Sequence, residues 1–169
     1  SSKAEFAEKT EAACLPSQEA RESFKKLGIV FKPASFEDVY RIASRDTGSR
    51  PYLHISACSG YGRERKNWVF CLKGIEVGFY FTGLWEERTK MVTGEVGMVH
   101  VAPELRRRGL GALVGILGVM ELVEGGAEII RSVVGDETGT VMKLTKQLGF
   151  VDTGEKAGLL SHPVLTLSI

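Results

Sequence analysis

The sequence predicts a mixed α/β fold: a mostly antiparallel sheet flanked by helices. In the middle of the chain, aromatic and β-branched residues bracket a glycine turn, a pattern typical of antiparallel hairpins. In the C-terminal half, strand-like and helix-like segments alternate, and two strand-like segments close the chain. The 169 residues are enough for one domain with a sizeable core.

The expected helices are marked by capping residues and by glycines. Residues 2–13 are rich in Ala, Glu and Lys and predict a solvated helix, while Ser17 is placed to cap a second helix that Gly28 ends. Ser35 and the acidic residues after it match a capping box for a third helix, which carries apolar residues at helical spacing. Those apolar residues are Phe36, Val39, Tyr40 and Ala43. Two later helices are expected at 109–124 and 138–148.

The expected strands are short and apolar, and turn residues separate several of them. Residues 68–72 and 77–84 form a hairpin around the glycine of the 73–76 turn. The other expected strands lie at 28–31, 52–57, 95–101, 127–134, 150–153 and 164–168.

Composition and charge argue against several classes of protein. The formal net charge of +1 provides no global field to attract nucleic acid or an anionic membrane. The longest apolar stretch, 110–123, is interrupted by glycines and is too short to span a membrane, and no signal peptide is visible. Three cysteines without CxxC spacing and three scattered histidines predict no disulfide framework, no metal site and a reducing, cytoplasmic location.

Residues 101–112 have the chemistry of an anion-binding site. An apolar strand ends at Pro103, and a loop with three arginines and a glycine opens directly into a helix. The first amides of a helix lack intrahelical partners, and the helix dipole is positive at that end. No Gly-Lys-Ser/Thr follows, and Val114 stands where a dinucleotide loop needs its third glycine. A basic turn at a helix start is the simpler alternative.

Arg106-x-x-Gly109-x-Gly111 resembles the coenzyme A pyrophosphate loop of the GNAT (N-acetyltransferase) superfamily. Residues 73–79 resemble that superfamily's second-to-third-strand hairpin, 99–103 its fourth strand, and 144–150 its last helix with a Gly-Phe strand start. The resemblance implies a sheet with a splayed centre. It covers residues 28–169, which predicts a GNAT acyltransferase domain there and an N-terminal helical extension over 1–27.

The resemblance implies that acetyl-CoA is the acyl donor. Backbone groups of the fourth strand would bind the pantetheine arm, and the arginines and amides of the loop would hold the pyrophosphate. The implied binding residues are Val99, Val101, Arg106, Arg107, Arg108, Gly109, Leu110, Gly111 and Ala112. Gly111, Gly115 and Gly118 share one helix face, which either approaches the cofactor or serves only tight packing.

Glu95 is the candidate general base, since family members that acetylate lysine carry a glutamate at about this offset. It shares strand parity with Val99 and Val101, so we expect it on the cofactor-bearing side, where it could take an amine proton through water. A solvent-facing glutamate at the strand start is the alternative. His100 has the opposite parity and is expected to pack under the strand.

Thr145 occupies the position where many family members carry a tyrosine that protonates the leaving thiolate. A threonine hydroxyl is a poor acid but can hydrogen-bond the sulfur. Thr138 stands where an asparagine is common, and Tyr80 is another possible acid whose facing the sequence leaves open. These departures concern the catalytic step and not the residues implied to bind coenzyme A.

The function implied by the resemblance is transfer of an acetyl group from acetyl-CoA to a primary amine of a small molecule or protein. The alternative is a coenzyme A-binding module without turnover that acts as a sensor or assembly protein. A nucleic-acid binder is disfavoured, because the arginine cluster has no interleaved aromatic residues. Loops at 40–62 and 84–93 would set the acceptor. No nucleic-acid or membrane partner is expected, and a homodimer is left open.

Overall fold

The computed structural model describes residues 17–47, 65–106, 108–135, 140–157 and 161–169. The predicted helix at 2–13 and strand at 52–57 lie outside these ranges. The α-helices described are α1 (Ser17–Lys26), α2 (Phe36–Thr47), α3 (Leu110–Glu124) and α4 (Thr140–Gln147), and a short 3₁₀ helix spans Pro103–Leu105. The strands described are β1 (Ile29–Ala34), β2 (Arg65–Leu72), β3 (Ile75–Glu86), β4 (Val92–Val101), β5 (Ile129–Val133), β6 (Val151–Ala157) and β7 (His162–Ser168).

The seven described strands form one sheet in the order β1-β2-β3-β4-β5-β7-β6. The strands pair antiparallel everywhere except between β4 and β5, which run parallel because α3 crosses over between them. The mixed, mostly antiparallel α/β sheet predicted from the sequence is confirmed. Within the described ranges, no helix is long and apolar enough to cross a membrane.

A hairpin turn and a helix cap that the sequence predicts are both present in the structure. Lys73 and Gly74 both have positive φ, 49° and 82°, which is the geometry of a two-residue hairpin turn between β2 and β3. At the start of α2, the Asp38 amide donates to Ser35 Oγ at 3.2 Å, and the Ser35 amide donates back to Asp38 Oδ2 at 2.9 Å.

The helix predicted from the spacing of its apolar residues is present as α2, and part of the apolar set forms its buried face. Val39 and Ala43 are buried together with Ile42, whereas Phe36 and Tyr40 are 40% and 47% exposed. The helix turns the stripe through Val39, Ile42 and Ala43 towards the sheet, and the two aromatic residues lie outside that stripe.

The helices cover the two faces of the sheet unequally. One face, here called the α2 face, packs α2 against Val69, Cys71, Phe79 and Phe81 of β2 and β3. The other face, the α3 face, carries α1, α3 and α4 over two clusters that run the length of the sheet. Cys71 is a small buried residue of the cluster under α2.

Candidate active site

The centre of the sheet opens between β4 and β5. The two strands pair only where Thr93, Gly94 and Glu95 meet 129–131, although β4 continues to Val101 beside β3. The Ala102 amide donates to Val77 O at 2.7 Å on the β3 side. Because backbone groups alternate in direction along a strand, those of Val99 and Val101 point into the gap. The gap therefore offers backbone donors and acceptors to an extended ligand.

The loop after β4 ends at an uncapped helix N-terminus. Gly109 is the N-cap of α3 with φ +79°, and no side chain of the described residues caps the helix. The first intrahelical bond runs from Leu113 N to Gly109 O, so the amides of Leu110, Gly111 and Ala112 precede it. Apart from its chain neighbours, no residue in the described ranges lies within 4 Å of where a Cβ on Gly109 would be. An anionic group such as a pyrophosphate fits this position.

The predicted arginines border this loop. The Nε of Arg106 donates to Val101 O at 2.9 Å, which ties the loop to the end of β4. Arg106 and Arg108 are exposed, and Arg107 lies outside the described residues. The loop is thus held in place by one arginine, and a second arginine is accessible to solvent beside the helix N-terminus.

Strand β4 carries one extra residue relative to β3. Phe79 pairs with His100 and Phe81 with Gly97, so two steps along β3 correspond to three along β4. A Cβ on Gly97 would lie 2.9 Å from Phe81, on the α2 face, whereas Cβ atoms on Gly111 and Gly115 of α3 would approach Val99. The bulge therefore reverses the side-chain alternation between Gly97 and Val99.

Glu95 consequently lies on the α2 face, opposite to the side chains of Val99 and Val101. The expectation of a shared side was wrong, because strict alternation fails across a bulge. The alternative of a solvent-facing glutamate is also wrong, since Glu95 is only 6% exposed. Glu95 is the last residue of β4 that pairs with β5, and the gap begins directly after it.

His100 shares the α2 face with Glu95, contrary to the parity expected from the sequence. Its predicted packing is confirmed: the ring is 4% exposed and stacks on Phe79 with centroids 4.9 Å apart. His100 Nε2 lies 2.8 Å from Asp46 Oδ2, and Arg45 Nε donates to the other oxygen of Asp46 at 2.7 Å. Burial lowers the pKa of His100, and Asp46 opposes that change. The end of α2 is thus bonded to the part of β4 that lies beyond its pairing with β5.

The architecture matches that of known acetyltransferases. A GNAT family acetyltransferase from Elizabethkingia anophelis, solved with acetyl-CoA bound, superposes with a TM-score of 0.63 and 13% identity, covering 84% of this chain and 99% of that one. The chain has the GNAT fold. The predicted fold is confirmed, including its splayed sheet.

Further comparisons agree with the GNAT fold. The ribosomal-protein-S18-alanine N-acetyltransferase of Escherichia coli superposes with a TM-score of 0.60 and 18% identity, covering 83% of this chain and 94% of that one. Mycothiol acetyltransferase of Corynebacterium jeikeium is 36% identical over 97 residues, which are 55% of this chain and 27% of that protein. No family model matches the sequence.

The hydroxyl proton of Thr145 already forms a hydrogen bond within α4. Thr145 Oγ1 donates to Val141 O at 2.7 Å, one turn earlier in α4. In this rotamer the hydroxyl can accept a hydrogen bond but has no proton for a leaving group. Thr138, the other departure in this region, lies outside the described residues.

Tyr80 points away from the α2 face, which answers the question that the sequence left open. It is fully buried on the α3 face, and its hydroxyl donates to Glu121 Oε1 of α3 at 2.7 Å. Arg21 of α1 donates to the Tyr80 hydroxyl at 3.3 Å and forms an ion pair with Glu121. Burial raises the pKa of Tyr80 well above its usual value. Tyr80 is therefore a structural link between β3, α1 and α3.

The glycine stripe of α3 has two roles. A Cβ on Gly118 would lie 2.7 Å from Val96, so this position needs glycine for close packing. Cβ atoms on Gly111 and Gly115 would find ordinary contacts, at 3.6 Å from Val101 and 4.0 Å from Val99. Tight packing thus explains Gly118 and does not explain the other two glycines.

Proposed function

We propose that the chain is an acetyl-CoA-dependent N-acyltransferase that transfers an acetyl group to a primary amine of a small molecule or protein. One observation carries the proposal: β4 and β5 part directly after buried Glu95, and the strand then leads into an uncapped helix N-terminus. A carboxylate, strand backbone that β5 does not pair with and an anion site therefore follow one another along β4 and the loop after it. The names of the GNAT-fold relatives, which include N-acetyltransferases, support the same activity.

Acetyl-CoA supplies the acetyl thioester when it is bound. In this proposal, the amides from Arg107 to Ala112 hold the pyrophosphate, with the exposed side chain of Arg108 adding positive charge. The backbone groups of Val99 and Val101 bind the pantetheine arm as an added strand would be bound. One of their amides donates to the thioester oxygen, where negative charge develops during acyl transfer.

Glu95 takes a proton from the acceptor amine through a water molecule in this proposal. Its position on the α2 face separates it from the valine side chains that pack under α3, so the acceptor approaches from the α2 side. Neither Thr145 nor Tyr80 is placed to donate a proton to the leaving thiolate, because Thr145 bonds Val141 and Tyr80 faces α3. In this proposal, water protonates the leaving thiolate.

The proposal is tested by measuring binding and turnover on the same protein. Calorimetry should show saturable binding of acetyl-CoA, and thiol release should rise when an accepted primary amine is added. Ligand binding should also raise the unfolding temperature. An absence of binding heat and of thermal shift at saturating acetyl-CoA would remove the basis of the proposal. Tight binding without thiol release across a broad amine panel would instead identify a coenzyme A-binding module without turnover.

A further inference from the structure

The stretch of β4 beyond Glu95 has less regular strand pairing than the rest of the strand. Its pairing with β5 ends at Glu95, and its pairing with β3 shifts register between Gly97 and His100. Strand backbone without a regular ladder on either side depends on further contacts to keep its position. In the proposed function, this same stretch binds the pantetheine arm through the backbone groups of Val99 and Val101. Contacts that fix its position therefore bear on coenzyme A binding.

His100 lies between those two valines, and both its backbone and its ring are fixed against β3. A Cβ on Gly78 of β3 would lie 2.2 Å from His100 O, so a side chain there would prevent this close approach of the strands. The His100 ring is buried and stacks on Phe79, with centroids 4.9 Å apart. Backbone groups of successive strand residues point to opposite sides, so those of His100 face β3 while those of Val99 and Val101 face the gap. The position of His100 therefore sets how the two valines face the gap.

The ring of His100 is also bonded to α2. His100 Nε2 lies 2.8 Å from Asp46 Oδ2, and both side chains are almost fully buried. The hydrogen bond from Arg45 Nε to Asp46 Oδ1 keeps the pKa of Asp46 below its usual value. The carboxylate is therefore ionised and can only accept, so His100 Nε2 donates the hydrogen bond. Arg45 Nη1 donates to Glu76 O at the start of β3, at 2.7 Å, which links the pair back to the sheet.

We propose that His100 is a positioning residue for coenzyme A binding: its bond to Asp46 holds the opened stretch of β4 so that Val99 and Val101 can bind the pantetheine arm. The inference rests on the proposed function, in which those backbone groups bind the cofactor. In this role His100 acts through the backbone of its two neighbours and does not touch the cofactor. If loss of the bond leaves about one tenth of the molecules in the binding arrangement, the apparent affinity falls about tenfold.

The test measures acetyl-CoA affinity by calorimetry on folded protein. A residue that only stabilises the fold changes the unfolding midpoint and leaves the affinity of the folded molecules unchanged. His100→Gln keeps a donor close to the position of Nε2, whereas His100→Phe keeps a ring that can stack but has no donor. Asp46→Ala removes the acceptor on α2 and leaves the sequence of β4 intact. Arg41→Ala, which breaks an exposed ion pair of the same helix, is the control.

We expect His100→Phe and Asp46→Ala each to weaken acetyl-CoA binding about tenfold, and His100→Gln and Arg41→Ala to stay within about threefold of wild type. A protein that carries both His100→Phe and Asp46→Ala should bind about as weakly as either single variant, because both changes remove the same bond. Circular dichroism and denaturant unfolding show which variants are folded. Asp46→Ala only removes atoms, so it decides the question if His100→Phe does not fold.

Unchanged affinity in folded His100→Phe or folded Asp46→Ala overturns the inference, and so does an equal loss in His100→Gln and His100→Phe. If the wild-type chain binds acetyl-CoA in those cases, the proposed function stands. If acetyl-CoA does not bind the wild-type chain, the proposed function fails and the inference fails with it.

Discussion

Glu95 and Val101 lie on opposite faces of the sheet, although six positions along the same strand separate them and strict alternation would place them together. The extra residue of β4 between the Phe79 and Phe81 pairings produces this reversal. One strand can therefore pack its valines under α3 and present a carboxylate to the α2 side. In the proposed function, this arrangement brings the acceptor and the helix-bound pyrophosphate to different sides of the gap.

Glu95→Gln should lower kcat by about a hundredfold or more while leaving the affinity for acetyl-CoA nearly unchanged, because the lost step is proton removal from the amine. Steady-state kinetics and calorimetry measure the two quantities. Glu155→Gln, which alters an exposed glutamate of β6, is the matched control and should behave as wild type. Full activity in Glu95→Gln would exclude Glu95 as the base.

Thr145→Val should change kcat by no more than about twofold, because the hydroxyl proton already bonds the helix backbone and does not serve the leaving group. The measurement is kcat at saturating acetyl-CoA and amine. A tenfold loss would show that Thr145 turns towards the sulfur during the reaction and would contradict the role described here.

Gly109→Glu should weaken acetyl-CoA binding at least about tenfold, since it places a negative charge at the anion site and a side chain on a backbone with positive φ. Gly126→Glu provides a matched control at the other end of α3. Gly126 also has positive φ, +92°, and open surroundings, so the strain is similar but the anion site is untouched. Calorimetry should separate the two variants, and equal affinities would place the pyrophosphate elsewhere.

The buried His100 should make the protein less stable as the pH falls from about 7 towards 5. Burial holds the pKa of His100 below that of a histidine in the unfolded chain, so the unfolded state takes up a proton that the folded state does not. The hydrogen bond from Arg45 lowers the pKa of Asp46, which adds to the loss at more acidic pH. Denaturant unfolding across this range should give a flatter profile for His100→Gln than for wild type. Identical slopes would contradict a neutral, buried His100.

Arg21→Ala should destabilise the protein by about 2 kcal/mol, because it leaves Glu121 without its cationic partner and removes the guanidinium that lies 4.0 Å from the Trp68 ring. Arg41→Ala, which breaks an exposed ion pair with Glu76, should cost no more than about 0.5 kcal/mol. Chemical denaturation measures both. Equal small effects would mean that α1 is held by its apolar contacts alone.

The sequence by itself determined the local structure and the chemistry of the loop. The positive-φ turn at Lys73 and Gly74, the cap at Ser35 and the glycine that opens α3 depend on a few neighbouring residues, and each stands where the pattern predicts. The order of the described elements from β1 onwards could be predicted for the same reason. Propensity, capping and turn chemistry act over short stretches of chain and can be recognised there.

The tertiary structure decided which groups meet at the site. The bulge in β4 arises from its pairing with β3. Side-chain alternation along β4 alone therefore could not predict the sheet face on which Glu95 lies. The burial of Tyr80 depends on Glu121 and Arg21, which are 41 and 59 positions away in the chain. The hydrogen bond between His100 and Asp46 depends on how α2 packs on the sheet. Such contacts join residues that are far apart in the chain, so no local sequence pattern predicts them.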